Sequence, residues 1–443
     1  MSGLLKIKIK RRTPFIITMF TMCVLFFLRD NLDINIPLVV FLGCSFIGIC
    51  FFKKEDFAVF GACITLFTHG VQTYYILFFA IIIYLFKFIH KIKNIKIFSF
   101  MMLLMILELS HCFIQPFNLM EYIRYFISYI FIGIVLNDMS ELTNRQVVFM
   151  LKSFVLIYCF TMIDILMQLA KQVGNLARFF TMGIRFGNLN VTQSANIVSL
   201  YDNENMIAMF SLVAISSCII LIFIEKNNVF WLIMCAISLF FGLSTFSKAF
   251  VIVLPFLFLM VIVTLIKDNK ISIVKRILIL LIISIFILIS VNTIFSNAIS
   301  KIIERFNAGD ITSGRSELFF EYNMFFYDNP KYWFTGIGLQ SLREKTGILN
   351  TPHNGLQETI ICFGFLGILI WLCIFRQILI YAKKARKNRI KLLNLIPIVA
   401  FVMYTQSIQF VRLPAIFLQI ILLSYAISLK YEYYIYNYKI QKY

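Results

Sequence analysis

Runs of about 18 or more apolar residues recur from Pro14 to Leu429, separated by polar connectors. In hydrocarbon every backbone N–H and C=O needs an internal partner, so only helices or a closed barrel can span. The runs lack the period-two alternation of barrel strands. The sequence therefore predicts an all-α polytopic membrane protein of about fourteen transmembrane helices. The expected spans lie near residues 14–28, 34–52, 57–68, 71–89, 97–114, 119–136, 147–169, 205–224, 229–246, 249–266, 277–294, 354–377, 392–410 and 413–429. The run at 57–68 is short enough to be re-entrant. Residues 1–443 read as a single integral membrane domain. The first run follows the basic cluster Lys6, Lys8, Lys10, Arg11 and Arg12, with no small-residue cleavage site after it. It reads as a retained signal-anchor.

The chain is 60% hydrophobic, against roughly 45–50% for a soluble domain. Its formal net charge is +20. On a soluble protein that would point to nucleic acid. Here most Lys and Arg fall in connectors, where they orient the chain, and no nucleic-acid partner is expected. With fourteen spans, the clusters Lys6–Arg12, Lys87–Lys96, Lys267–Arg276 and Arg376–Lys391 share one side with both termini. The positive-inside rule makes that side cytoplasmic. Two polar segments, 171–204 and 295–353, then face outside. The 10 cysteines are scattered through apolar runs without a CxxC pair, so neither a disulfide framework nor a zinc site is expected. Glu108, His111, Glu121, Arg124, Asp164 and Lys248 all fall near the external ends of their spans. They fit either a polar cavity open to the outside or a set of unrelated rim charges.

The stretch Gly314–Gly367 breaks the apolar pattern most sharply. It carries Arg315, Glu317, Glu321, Asp328, Lys331, Arg343 and His353. Long structured loops between spans are where chemistry is usually placed. Leu318, Tyr322 and Phe325 or Phe326 form an apolar stripe that predicts an amphipathic helix over Ser316–Tyr327, lying on the membrane surface and ended by Asp328-Asn329-Pro330. Gly336-Ile337-Gly338 reads as a tight turn; without a third glycine and a strand–helix setting it is not a dinucleotide fingerprint. Pro352-His353-Asn354 suits a helix start. There His353 is either an incidental helix-start residue or a group poised for chemistry.

The order of these features resembles the O-antigen polymerase and ligase superfamily, the Wzy-type polymerases and lipid A–core ligases. The features are Arg315, then Asp328-Asn329-Pro330 with Trp333, then Gly336-Ile337-Gly338, His353-Asn354 and Gly364 to Gly367. Two earlier stretches fit as well: Arg185-Phe186-Gly187 followed by Asn203-Glu204-Asn205, and Ser244-Thr245-Phe246-Ser247-Lys248. In the last, many relatives have Arg where this chain has Lys248. The resemblance runs from about Arg185 to Gly367; the first six spans carry no specific signal.

The resemblance implies transfer of glycan from an undecaprenyl-diphosphate carrier to an acceptor sugar hydroxyl outside the plasma membrane. A lipid diphosphate is its own leaving group, so the protein must stabilise negative charge and guide the acceptor. Arginine suits the first task, with permanent charge and a planar fork of donors. Arg185 and Arg315 are the primary candidates, with Lys248, Arg343 and Arg412 as further cations; pairing with anionic lipid or with Asp and Glu is the other reading of each. His353 would act on the acceptor hydroxyl as base or as orienting hydrogen-bond acceptor. Glu358, one turn further on, could steer His353 or cap a polar face, while Glu317 and Glu321 are weaker bases; Trp333 and Glu321 join the expected substrate contacts. No Asp-x-Asp metal motif occurs, so metal-independent transfer without a cofactor is expected. The expected partners are lipid-linked oligosaccharide, an acceptor glycan, a flippase and a chain-length regulator. A polymerase and a ligase differ only in the acceptor. The rival from another class is a flippase of lipid-linked oligosaccharide, which should show broken helices or repeat symmetry. Neither is visible in the sequence.

Overall fold

The computed structural model describes residues 12–67, 71–91, 95–113, 117–141, 143–174, 185–187, 204–225, 228–267, 300, 303, 314–386 and 392–429. The expected span at 277–294, most of the segment 171–204, the first part of the segment 295–353 and residues 430–443 lie outside them. Among the described residues the fold is helical, without strands. The helices are α1 (Thr13–Asn31), α2 (Leu38–Cys50), α3 (Asp56–Ile64), α4 (Val71–Phe88), α5 (Lys96–Ser110), α6 (Leu119–Asn137), α7 (Asn144–Val173) and α8 (Glu204–Ile224). They continue as α9 (Asn228–Ser244), α10 (Lys248–Lys267), α11 (Arg315–Asp328), α12 (Leu342–Thr346), α13 (Gly355–Arg386), α14 (Leu392–Thr405), α15 (Pro414–Phe417) and α16 (Gln419–Ile427).

Six of these helices contain stretches long and apolar enough to cross a membrane: Thr13–Asn31, Lys96–Phe113, Leu119–Asn137, Asn144–Lys171, Glu204–Ile224 and Gly355–Lys383. Several shorter apolar helices pack among them. A helix apolar all round belongs inside a bundle. Accordingly α8, with no polar face, is buried from Met206 to Ile222 and packs on α7, α9, α10 and α14. Outer helices instead show apolar side chains outward, such as Phe78, Ile82 and Phe86 on α4 and Leu103 and Ile106 on α5. That outward face suits hydrocarbon.

Polar contacts sort the helix ends into two groups. At one end Lys54 pairs with Asp138 (2.7 Å) and Glu141 (3.4 Å), and Lys152 pairs with Glu225 (2.9 Å). There too Lys87 donates to the Cys50 carbonyl (2.7 Å), and Arg12 lies over the Phe149 ring. These contacts join the starts of α1, α3 and α7 to the ends of α2, α4, α6 and α8. At the opposite end, hereafter the loop end, Asn31 donates to Asp164, Lys171 pairs with Asp33 (3.0 Å) and Tyr404 donates to the Asn205 carbonyl (2.8 Å). From α1 to α10 successive helices alternate in direction between the two ends.

α11 forms where the apolar stripe predicts it, burying Leu318, Tyr322 and Phe326 and exposing Phe319, Phe320, Met324 and Tyr327. It sits over the start of α13, where Gln357 donates to the Phe319 carbonyl (2.9 Å) and Tyr322 to the Asn350 carbonyl (2.9 Å). Asn354 caps α13, its side chain accepting from Leu356 N and Gln357 N, both at 3.0 Å.

One expectation fails here. No broken helix is visible in the sequence, yet α13 is broken at Gly364, which takes φ 61° and ψ −162°. The Trp333–Gly338 loop fills the break. Ile337 N and Gly338 N donate to the Ile361 and Cys362 carbonyls (2.8 and 2.9 Å), and Phe365 N and Leu366 N donate to the Trp333 and Phe334 carbonyls (2.8 and 3.0 Å). The Phe365 and Leu366 amides and the Ile361 and Cys362 carbonyls would otherwise pair with each other in an unbroken helix. Each finds a loop partner instead, so the break leaves none of these four groups unsatisfied.

Candidate functional site

The inserted loop is fastened by charged side chains from elsewhere. Glu108, on α5, accepts from Leu339 N (2.7 Å) and from the Gln340 side chain (3.3 Å). His111 Nε2 meets the Gly336 carbonyl at 3.2 Å, and Lys345 Nζ donates to the Ile337 carbonyl at 2.7 Å. The Gln340 side chain accepts from Asn118 N (2.8 Å), just before α6. Arg412 Nε donates to the Leu339 carbonyl (2.7 Å). Burial holds the Lys345 ammonium below its ordinary pKa, with the Glu108 carboxylate working against that shift.

Glu358 is fully buried and accepts from Phe410 N (2.5 Å) and Val411 N (2.9 Å). Its carboxylate is therefore committed to the 406–413 connector. The sequence leaves Glu358 steering His353 or capping a polar face; these two bonds, both to Oε2, tie it to the connector that carries Arg412. Glu358, Arg412, Glu108 and the Gly336–Gly338 turn form one buried polar framework.

A second group gathers beside it. Arg185 donates from Nε to the Thr245 carbonyl (2.9 Å) and pairs with Glu204. Phe186 N donates to the Ser244 carbonyl (2.8 Å). Gly187, at φ +93°, packs so tightly that an added Cβ would lie 3.2 Å from Glu204 Cα. The Arg-Phe-Gly segment, Glu204-Asn205 and the 244–248 turn are thus assembled together. Tyr404, at the end of α14, ties them in: its hydroxyl meets Ser247 Oγ (3.1 Å) and donates to the Asn205 carbonyl (2.8 Å).

Arg315 and His353 complete the arrangement. The charges of both Arg185 and Arg315 act on the Tyr404 phenol, and that of Arg315 also acts on His353. Arg315 and His353 thus lie within electrostatic reach of the loop end of α14, where hydrogen bonds gather the Arg185 segment. The His353 imidazole is reachable from solvent, and its pKa is lowered by partial burial and then by Arg315. It is neutral, and able to take a proton, over a wider pH range than a free histidine.

The other expected residues divide. Lys248 starts α10 next to Ser247, at the edge of the Arg185 group. Arg343 is exposed on α12, and Glu317 and Glu321 are exposed on α11. Trp333 is anchored by Nε1 to the Phe326 carbonyl (2.8 Å), yet leaves 56% of its surface open. Arg412 belongs to the framework. Tyr404 and Lys345 were missed: each is one polar group amid ordinary residues, and only the packing gives it a partner. The 10 cysteines are free thiols. Among the described residues no group of three or more His, Cys, Asp or Glu is arranged to hold a metal ion.

Compared with known proteins, no family model matches the chain, and no curated protein matches it. Chemically, the loop end of the apolar bundle carries two guanidinium groups, a neutral imidazole and an exposed indole, with the Tyr404 phenol buried beneath as a tie. Such a set can bind a dianionic head group, draw a hydroxyl proton and stack on a sugar ring.

Proposed function

We propose that the protein is a membrane glycosyltransferase that polymerises lipid-diphosphate-linked oligosaccharide repeat units at the outer face of a bacterial plasma membrane. The supporting observation is the assembly of the Arg185-Phe186-Gly187 segment, Glu204-Asn205 and the 244–248 turn at the loop end of α14, with Arg315 and His353 within electrostatic reach. These residues come from two separate polar segments, and their joint position at an apolar–polar boundary fits a donor that is itself half lipid and half anion. In this reading the chain spans the membrane fourteen times, with both termini and the Lys54 end in the cytoplasm and the loop end outside.

The transfer breaks the bond between the anomeric carbon and the diphosphate oxygen, and forms one from that carbon to the acceptor oxygen. Arg185 and Arg315 take up the charge that develops on the leaving diphosphate, each charge-assisted hydrogen bond contributing about 1.5–3 kcal/mol. His353 accepts the proton of the acceptor hydroxyl. Trp333 offers a face for a sugar. The Glu108–Arg412 framework keeps the 333–340 loop in place beneath them.

The flippase reading draws support from the broken helix, a transporter trait. In transporters such a break leaves backbone groups free for a substrate, whereas at Gly364 they are satisfied by the loop. The break thus serves the scaffold, and the transferase reading is preferred. A ligase would use the same site with another acceptor.

The test is purified protein in lipid nanodiscs with a lipid-diphosphate oligosaccharide and a labelled acceptor repeat. A ladder of lengths, unchanged by EDTA, is expected. Transfer of a finished lipid-linked polymer to a lipid or wall acceptor without a ladder would mean a ligase. Translocation across a liposome without any glycosidic bond formed would mean a flippase.

A further inference from the structure

Among the described residues no side chain hydrogen-bonds the His353 imidazole. A group that takes a proton is ordinarily oriented by a third residue. Here the place of the ring is set by the turn that carries it, residues 350–354. That turn is held at three points. The Asn350 carbonyl accepts from Tyr322 of α11 (2.9 Å), and Thr351 Oγ1 accepts from the Gln409 side chain. Asn354 caps α13 through Leu356 N and Gln357 N, both at 3.0 Å. Pro352 is buried between Thr351 and His353, and its ring fixes one backbone torsion. A shift at Thr351 therefore passes to His353 with little slack.

Of the three ties, the Gln409 bond comes from the connector that follows α14. That connector is pinned on both sides of Gln409. On the near side, Tyr404 donates to the Asn205 carbonyl (2.8 Å) and meets Ser247 Oγ (3.1 Å), in the turn whose Thr245 carbonyl takes Arg185 Nε (2.9 Å). Thr405 packs on the start of α13, where a Cβ on Gly355 would lie 3.0 Å from the Thr405 carbonyl oxygen. On the far side, Phe410 N and Val411 N donate to Glu358 (2.5 and 2.9 Å), and the Val411 carbonyl accepts from Tyr129 of α6 (3.3 Å). Arg412 Nε then donates to the Leu339 carbonyl (2.7 Å). Residues 404–412 thus grip the Arg185 group, the His353 turn and the 333–340 loop within one short stretch of chain.

We propose that Gln409 is a positioning residue for His353: through Thr351 it sets where the imidazole stands relative to the Arg185 group and the 333–340 loop. This inference rests on the transferase reading, since it takes the role of His353 from there. Gln409 acts as a neutral donor and touches neither His353 nor a substrate. It is half-buried, so replacing it opens no closed cavity, and the ties on either side of it stay made. A reacting group misplaced by about 1 Å costs about 10²-fold in rate, so a small yielding of this bond reads out in kcat.

The experiment uses the full chain in lipid nanodiscs and two variants, Gln409→Met and Thr351→Val, that keep the side-chain shape and lose the bond. Each should lower kcat by about 10-fold to 10²-fold, with the KM for the lipid donor and thermal inactivation little changed. The double variant should lose no more than either alone, because both remove one interaction. Thr351→Ser, which keeps the acceptor hydroxyl, should recover most of kcat. A second measurement needs no turnover. The rate at which diethyl pyrocarbonate modifies His353, read against His90 in the same sample, should rise severalfold in both single variants. Additive losses in the double variant, or a lower kcat with unchanged modification of His353, would overturn the positioning role. If the wild type transfers and Gln409→Met keeps its kcat, that role fails and the transferase reading survives. If the wild type forms no glycosidic bond, both fail.

Discussion

Gly336 and Gly364 interlock backbone to backbone. A Cβ on Gly364 would lie 2.6 Å from Gly336 N, and a Cβ on Gly336 would lie 2.5 Å from the Cys362 carbonyl oxygen. Both residues are in the left-handed region, at φ 74° and 61°. Any side chain at either position meets main chain, which has no rotamer to escape into. This pair is what allows a polar loop to replace two helical hydrogen bonds inside an apolar bundle.

Gly364→Ala and Gly336→Ala should therefore each cost about 1–3 kcal/mol, the range for overpacking a close-packed site. Ala at the exposed Gly347, where an added Cβ meets nothing within 4 Å, controls for the left-handed backbone alone, at φ 73°. Thermal inactivation in detergent is the measurement. Equal losses at all three positions would show that the interlock has no special weight.

Glu108→Ala removes the acceptor of Leu339 N. Leaving that buried amide unpaired should cost about 1–3 kcal/mol. Hydrogen exchange should locate the effect: the amides of 336–340 should exchange faster, while those of α8 stay protected. Uniform acceleration would mean that Glu108 supports the bundle as a whole.

Arg185→Ala and Arg315→Ala should each abolish transfer with the protein still in the membrane, and Lys should restore it only in part. Arg185 needs a second control, because its loss strands Glu204. In Arg185→Ala/Glu204→Gln the ion pair is removed from both sides. If that double variant regains transfer, Arg185 serves folding; if it stays inactive at normal expression, Arg185 serves the donor.

His353→Ala should lower turnover by about 10²–10⁴-fold, the usual size of a lost acid–base group. The pH profile gives a sharper reading. Burial and the Arg315 charge lower the His353 pKa, so the neutral base persists to lower pH, and the acidic limb should fall below the ordinary histidine value of about 6.5. Arg315→Gln removes a positive neighbour and raises that pKa. In the residual activity, the acidic limb should move to higher pH. An unmoved limb would detach the titration from His353.

Arg343→Cys and Lys383→Cys, both at exposed positions, should differ in labelling by an impermeant maleimide on intact cells in a Cys-free background. Only the first should react. Reaction of Lys383→Cys from outside would reverse the proposed orientation.

Much of the architecture was legible in one dimension. Lipid requires each spanning backbone to satisfy itself locally, so apolar runs alone mark the helices, and α1, α5 to α8 and α13 form where hydropathy predicts them. The stripe Leu318, Tyr322, Phe326 likewise announces α11. The segments around Arg185, Arg315 and His353 could be picked out, because long polar stretches stand out in a chain that is 60% hydrophobic. Only the tertiary structure decided their company. It committed Glu358 to the Phe410 and Val411 amides, gave Arg412 and Glu108 to the 333–340 loop, and tied Tyr404 to Ser247 and Asn205. The broken helix at Gly364 was hidden for the same reason. Its hydrogen bonds pair residues that are distant in sequence, and a glycine's need for room depends on what main chain another segment brings against it.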